Sequence, residues 1–164
     1  MKKLTKILSA LALVGLAQAS FAATSTSANF QATATLNSSC VVTATNVAFG
    51  TITPAATGTA SATGTITSRC SNNVGYTLSI NAGSGTIAAR TMTGATNGNT
   101  DKLAYNLYQD AGYATLWGDG TTGSKVSLTG SGVTQTSTVY GTLSLNQYIK
   151  PDTYADNLTV TLSY

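Results

Sequence analysis

Apolar and polar residues alternate to the last position of the chain: Leu158, Val160, Leu162 and Tyr164 are interleaved with Thr159, Thr161 and Ser163. A period of two predicts a β-strand with one face buried and the other wet. An apolar strand edge is normally capped, charged or paired. No capping segment follows Tyr164 in the sequence, so this strand is expected to form an open border of the fold. The same alternation near the other end places Phe30, Ala32, Ala34 and Leu36 on one face, with Asn29, Gln31, Thr33 and Thr35 on the other.

Between these segments the pattern predicts short strands over 41–43, 47–52, 63–70, 76–80, 87–92, 103–108, 125–128 and 139–145. Turn chemistry separates them: Asn72-Asn73, Gly83-Ser84-Gly85, Asn97-Gly98-Asn99 and Gly118-Asp119-Gly120. No helix longer than a turn or two, no repeat and no domain linker is visible, and 53–65 reads as low in complexity. Many short strands with regular turns predict an all-β sandwich or barrel.

Composition supports that class and adds a compartment. Thirty-one Thr with many Gly, Ala and Ser, two Pro and no Glu form a mixture poor in helix formers. Residues 1–22 combine Lys2, Lys3 and Lys6, an apolar stretch over 7–16 and the ending Ser20-Phe21-Ala22, the signature of a secretory signal peptide cut after Ala22. The apolar stretch is short for a membrane span. Once those three Lys are removed, five basic residues face five Asp, so the basic pI gives no support for binding nucleic acid or anionic membrane. The mature chain is expected to be soluble and exported.

In an oxidising compartment the two cysteines, Cys40 and Cys70, are expected to form one structural disulfide. Catalytic arrangements are constrained by absence. Without His there is no Ser-His or Cys-His pair and no usual zinc site, and the only carboxylates are Asp101, Asp110, Asp119, Asp152 and Asp156. Three of these sit in turn contexts that favour Asp for backbone hydrogen bonding. No enzyme activity, cofactor or metal is expected. Tyr105, Tyr108, Tyr113 and Trp117 form the densest aromatic group; they fit a sugar-binding platform, but more readily the filling of a sandwich core.

Several segments, taken in order, resemble the spore coat protein U domain of archaic chaperone-usher pilus subunits. They are the signal peptide, the alternating segment ending at Cys40, Cys70, and Leu103-Ala104-Tyr105-Asn106-Leu107-Tyr108-Gln109-Asp110. Trp117-Gly118-Asp119-Gly120 and the run from Tyr154 to Tyr164 complete the series. Where that family often has a Pro-Gly-x-Tyr turn, this chain has Lys150-Pro151-Asp152-Thr153-Tyr154.

The resemblance implies an incomplete immunoglobulin-like β-sandwich that lacks its final strand and is completed by a donor strand from a neighbouring subunit. It implies a partition into a signal peptide (1–22), a donor segment (23–37) and a pilin domain (38–164). Phe30, Ala32, Ala34 and Leu36 would be the donor residues, and Leu158, Val160, Leu162 and Tyr164 the groove and chaperone contacts. The implied partners are identical or related pilus subunits, a periplasmic chaperone and an outer-membrane usher, in a major pilin serving adhesion and biofilm at the cell surface. The residues alone leave open whether the N-terminal segment pairs within its own chain. They also leave open a single-domain adhesin or lectin, and a coat-type protein assembled without an usher.

Overall fold

The computed structural model describes residues 22–164; the segment 1–21, which carries nearly all of the expected signal peptide, lies outside the described residues. The chain divides into two units, one ending at Thr35 and the other spanning Leu36–Tyr164. In the first, residues 22–35 adopt no regular secondary structure and are exposed throughout.

The second unit is an all-β sandwich. Its strands are β1 (Cys40–Ala44), β2 (Thr59–Cys70), β3 (Gly75–Ile80), β4 (Arg90–Gly94), β5 (Lys102–Tyr108), β6 (Val126–Thr129), β7 (Gln135–Ser144), β8 (Tyr154–Ala155) and β9 (Val160–Ser163). Six of them form one sheet in the order β1-β2-β7-β5-β4-β8, and three form the other in the order β6-β3-β9. Every pairing is antiparallel.

Alternation builds the core from both inner faces. Ile66, Ser68 and Cys70 of β2, Tyr105 and Leu107 of β5, and Val139 and Leu143 of β7 point inward to meet Tyr76, Leu78 and Ile80 of β3. Thr and Ser occupy most of the intervening outward positions, as a half-buried antiparallel sheet favours. Trp117, 0% exposed, fills the core from the connection between β5 and β6. The buried hydroxyls of Ser68 and Tyr76 satisfy each other at 2.8 Å. Cys40 and Cys70 are register partners at the end of the β1–β2 pair and are joined by a disulfide.

The structure departs from the sequence reading in several places: the alternating segment over 30–36 forms no strand, β7 begins at Gln135 rather than at 139, and β8 has no counterpart among the predicted strands. Residues 47–52 are not a strand. They cross the inner face of the large sheet, with Val47 over Gly64 and both Val47 and Phe49 over Gly141, where a Cβ would meet their side-chain atoms at 2.6 to 2.9 Å. Glycine inside a strand marks such a close approach. The strand expected from residue 87 begins only at Arg90, because Thr86 and Ala89 exchange backbone hydrogen bonds in a tight turn. The stretch 53–65, low in complexity, is structured in its second half: β2 starts at Thr59 and pairs with β7 as far as Ser144.

Candidate functional site

The feature most suited to recognition is an open border between the sheets. Among the described residues, β9 hydrogen-bonds in the small sheet only to β3, and β1 in the large sheet only to β2. β1 and β9 approach each other with Cα atoms within 8 Å but do not pair, closer than the roughly 10 Å that separates stacked sheets. Both strands therefore present a free edge of backbone donors and acceptors on the same side of the sandwich.

Side chains on this border are incompletely covered. Leu158, Val160 and Leu162 pack against the core but are only half-buried, as is Val42 of β1. Their partners on β3 are enclosed: Leu162 stands opposite Leu78, and Val160 opposite Ile80. Tyr164, beyond the end of β9, is exposed. Of the residues proposed for the groove, the structure thus brings Leu158, Val160 and Leu162 to one partly covered apolar strip and leaves Tyr164 outside it. Phe30 and Leu36 are 92% and 94% exposed, and Ala32 and Ala34 are exposed between them.

The start of β9 is fixed by a polar cluster. Arg90, fully buried, donates from Nη1 to the Ile87 carbonyl at 3.1 Å and from Nη2 to the carbonyls of Asn81 and Trp117 at 2.9 Å each. Directly across from it on β5, the Tyr105 hydroxyl donates to Asp156 Oδ2 at 2.6 Å, and Asp156 Oδ1 accepts from the Ser84 amide. Asn81 Oδ1 accepts from the Thr159 amide at 2.9 Å, one residue before β9. Burial pulls the Arg90 pKa down, opposed by the nearby Tyr105 and Asp156, while burial and then the bond to Asp156 push the Tyr105 hydroxyl up. The segment leading into β9 is thereby held to β5 and to the loop that follows β3 without help from its open side.

Sequence reasoning did not single out Arg90. Its only signal was a lone basic residue at the end of an apolar stretch, which reads equally well as a solvated strand end. A second missed feature is an open cavity of about 500 Å³ between the crossing segment and the large sheet. Val47, Phe49, Met92, Leu103, Leu143 and Tyr154 contribute to its lining. The aromatic group separates: Tyr105 and Trp117 are core residues, Tyr113 is exposed, and Tyr108 lies on the outward face of β5.

The remaining carboxylates hold backbone. Asp110 accepts from the amides of Ala114 and Thr115, and Asp119 from those of Thr121 and Thr122. Asp152 ties two loops together through the Thr96 amide and hydroxyl and the Asn99 side chain, which hold its carboxyl at about 2. Among the described residues no group of His, Cys, Asp or Glu is arranged to hold a metal ion.

The fold resembles a solved structure, that of the CsuC–CsuE chaperone–tip adhesion subunit pre-assembly complex from archaic chaperone-usher Csu pili of Acinetobacter baumannii. The TM-score is 0.55 and the identity 24%, and the match covers 79% of this chain and 40% of that chain. This chain therefore corresponds to less than half the length of the protein it resembles. No curated protein matches it. The family model for the Spore Coat Protein U domain matches residues 26–161, which takes in β1 to β8 and the first half of β9, and on that match the chain belongs to the Spore Coat Protein U domain family.

Proposed function

We propose that this protein is a structural subunit of a surface pilus, assembled head to tail by donor-strand complementation. The observation that carries the reading is the open border at β9. Its apolar residues Leu158, Val160 and Leu162 are half-covered beside the enclosed Leu78 and Ile80. In this reading residues 23–37 are the donor and 38–164 the receiving domain. Phe30, Ala32, Ala34 and Leu36 from one subunit enter the border of the next, with Tyr164 extending the contact beyond the strand end. Alternate side chains set the register and the backbone ladder supplies much of the affinity.

The magnitudes suit a persistent link. Burying Phe30 and Leu36 contributes roughly 1.5 to 3 kcal/mol each, and each backbone hydrogen bond adds about 0.5 to 1.5 kcal/mol. Because the donor completes the receiving core, dissociation requires partial unfolding and the link is kinetic in character. A contact between two different surfaces does not close on itself, so it propagates as a filament. Before assembly the open border needs cover, which a periplasmic chaperone supplies, and export runs through an outer-membrane usher to the cell surface. In this reading the protein is the repeated rod subunit, serving adhesion and biofilm formation. A lectin built on Trp117 or Tyr105 is disfavoured, since both are enclosed in the core.

Material sheared from producing cells, run unboiled beside boiled on a denaturing gel, tests the reading. A ladder that collapses to monomer only on boiling, and is missing in Phe30→Asp, is the expected result. Monomer in every lane of the parent protein would sink it.

A further inference from the structure

The outward face of the six-stranded sheet carries an aromatic strip that the assembly reading does not use. Tyr108 of β5 stands directly opposite Tyr140 of β7, and Tyr140 opposite Thr63 of β2. On its other side Tyr108 bridges Leu116. Thr63, Tyr140, Tyr108 and Leu116 therefore form one row across four neighbouring segments, about 14 Å long at the usual spacing of paired strands. The inward positions next to this row, Leu107, Val139 and Gly141, are buried, which puts the row itself on the solvent side.

Tyr113 is brought onto the row by a strained turn. Its φ is 56°, a left-handed conformation in which a bulky residue is rare. The turn is held by Tyr113 N donating to the Asp110 carbonyl and by the Asp110 carboxylate accepting from Ala114 and Thr115. The strain places the Tyr113 ring edge-on to Tyr108, with centroids 5.7 Å apart, while 40% of Tyr113 stays exposed. Backbone strain at an exposed aromatic, where Gly would sit without cost, points to a function for the ring.

The surroundings of the strip define its ligand. Thr138 and Thr65 flank it on one side and Thr142 and Ser61 on the other, all on the outward face. The charged residues of this face stand at its margins, where Arg69 donates to the Gly132 carbonyl and Lys102 to the Thr93 hydroxyl. The one carboxylate in the turn, Asp110, is committed to backbone amides. A row of amphipathic rings, with Tyr113 edge-on to Tyr108, bordered by hydroxyls and without charge at its centre, matches the C–H faces and hydroxyls of a neutral sugar chain. Such a row offers nothing to a phosphate or an acidic polymer. We propose that this strip binds neutral polysaccharide, with the chain laid across the strands and its pyranose rings packed against Tyr140, Tyr108 and Tyr113. It lies on the large sheet and does not involve β9, so it stands or falls independently of donor-strand assembly.

The test is co-sedimentation of the full chain, as released from producing cells, with microcrystalline cellulose, insoluble chitin and starch granules, with calcium alginate beads as the acidic control. Retention on at least one neutral polymer, release by its soluble oligosaccharide and little retention on alginate are expected. Tyr113→Gly removes the ring and relieves the turn, so it should match the parent in thermal stability and lose about tenfold in apparent affinity, a change of about 1.4 kcal/mol. Tyr140→Ser should lose at least as much. No retention on any neutral polymer, equal retention on alginate, or parent-like binding by Tyr113→Gly would each overturn the proposal. So would a Tyr113→Gly defect confined to lateral association of the protein with itself, which would assign the strip to a second copy of this chain.

Discussion

Leu162 stands directly across from Leu78 in the β3–β9 pair, yet Leu78 is enclosed on every side and Leu162 is half open. Both point toward the same core, so the difference measures what the border lacks. Leu78→Ala should cost about 2 to 5 kcal/mol, as for a fully buried leucine. Leu162→Ala should cost at most about 2 kcal/mol in a subunit whose border is uncovered, because less apolar area is removed from water. Urea unfolding of the isolated subunit reads both. Equal costs would mean that β9 is already covered, and the assembly reading would lose its main support.

The glycines beneath the crossing segment make a second prediction. A Cβ on Gly141 would lie 2.6 Å from Val47 Cγ1 and 2.9 Å from Phe49 Cζ, so Gly141→Ala must displace both side chains. The expected loss is about 1 to 3 kcal/mol from overpacking. Gly75→Ala, within β3 but with open space around its Cβ position, is the control. It should be near neutral in the same unfolding measurement.

Arg90 should be among the least replaceable residues. Its guanidinium satisfies the carbonyls of Asn81, Ile87 and Trp117 in a space closed to water. Arg90→Met leaves those acceptors unpaired, and at about 1 to 3 kcal/mol for each buried orphan the subunit should lose most of its stability. Arg90→Lys restores a charge but not the fork that reaches several carbonyls, and should recover only part. Amide exchange would show the loss first at Val160–Ser163 if the cluster anchors β9. A uniform rise across β2 and β7 would indicate a purely global role.

The legibility of this fold in its sequence follows from how local each constraint is. The alternation of Ile66, Ser68 and Cys70 and of Tyr105 and Leu107 displays their inward faces directly, because strand period is a local property. The all-β class and the strip of Leu158, Val160 and Leu162 were readable for the same reason. Residues 47–52 carry strand-like composition but cross the sheet, since Gly64 and Gly141, far away in the chain, leave room for Val47 and Phe49. Arg90 carries no local sign of burial, because its acceptors on Asn81 and Trp117 are brought to it only by the fold. Tyr113 was visible as an aromatic, but its left-handed backbone and its edge-on contact with Tyr108 are properties of the turn. What escaped the sequence is of two kinds: contacts between segments distant along the chain, and the backbone geometry of local turns such as those over 86–89 and 110–113.

Acid should loosen the loops at Asp152 before it affects the sandwich. The Asn99 side chain and the Thr96 amide and hydroxyl hold this carboxyl down from its ordinary 3.8 to about 2. A carboxylate whose pKa is depressed by folding contributes stability that is fully present above the unfolded value and is lost as pH falls through the folded one. The contribution should therefore be intact above pH 5, decline from near pH 4 and be gone below about 2. Asp152→Asn cannot titrate and keeps an acceptor for Asn99, so its thermal midpoint should change less than the parent's over that interval. Parallel acid profiles for the two proteins would show that Asp152 is not the group responsible. Because Asp152 lines the same cavity as Phe49 and Tyr154, a fluorescent probe placed near Tyr154 should report the loosening at a higher pH than global unfolding.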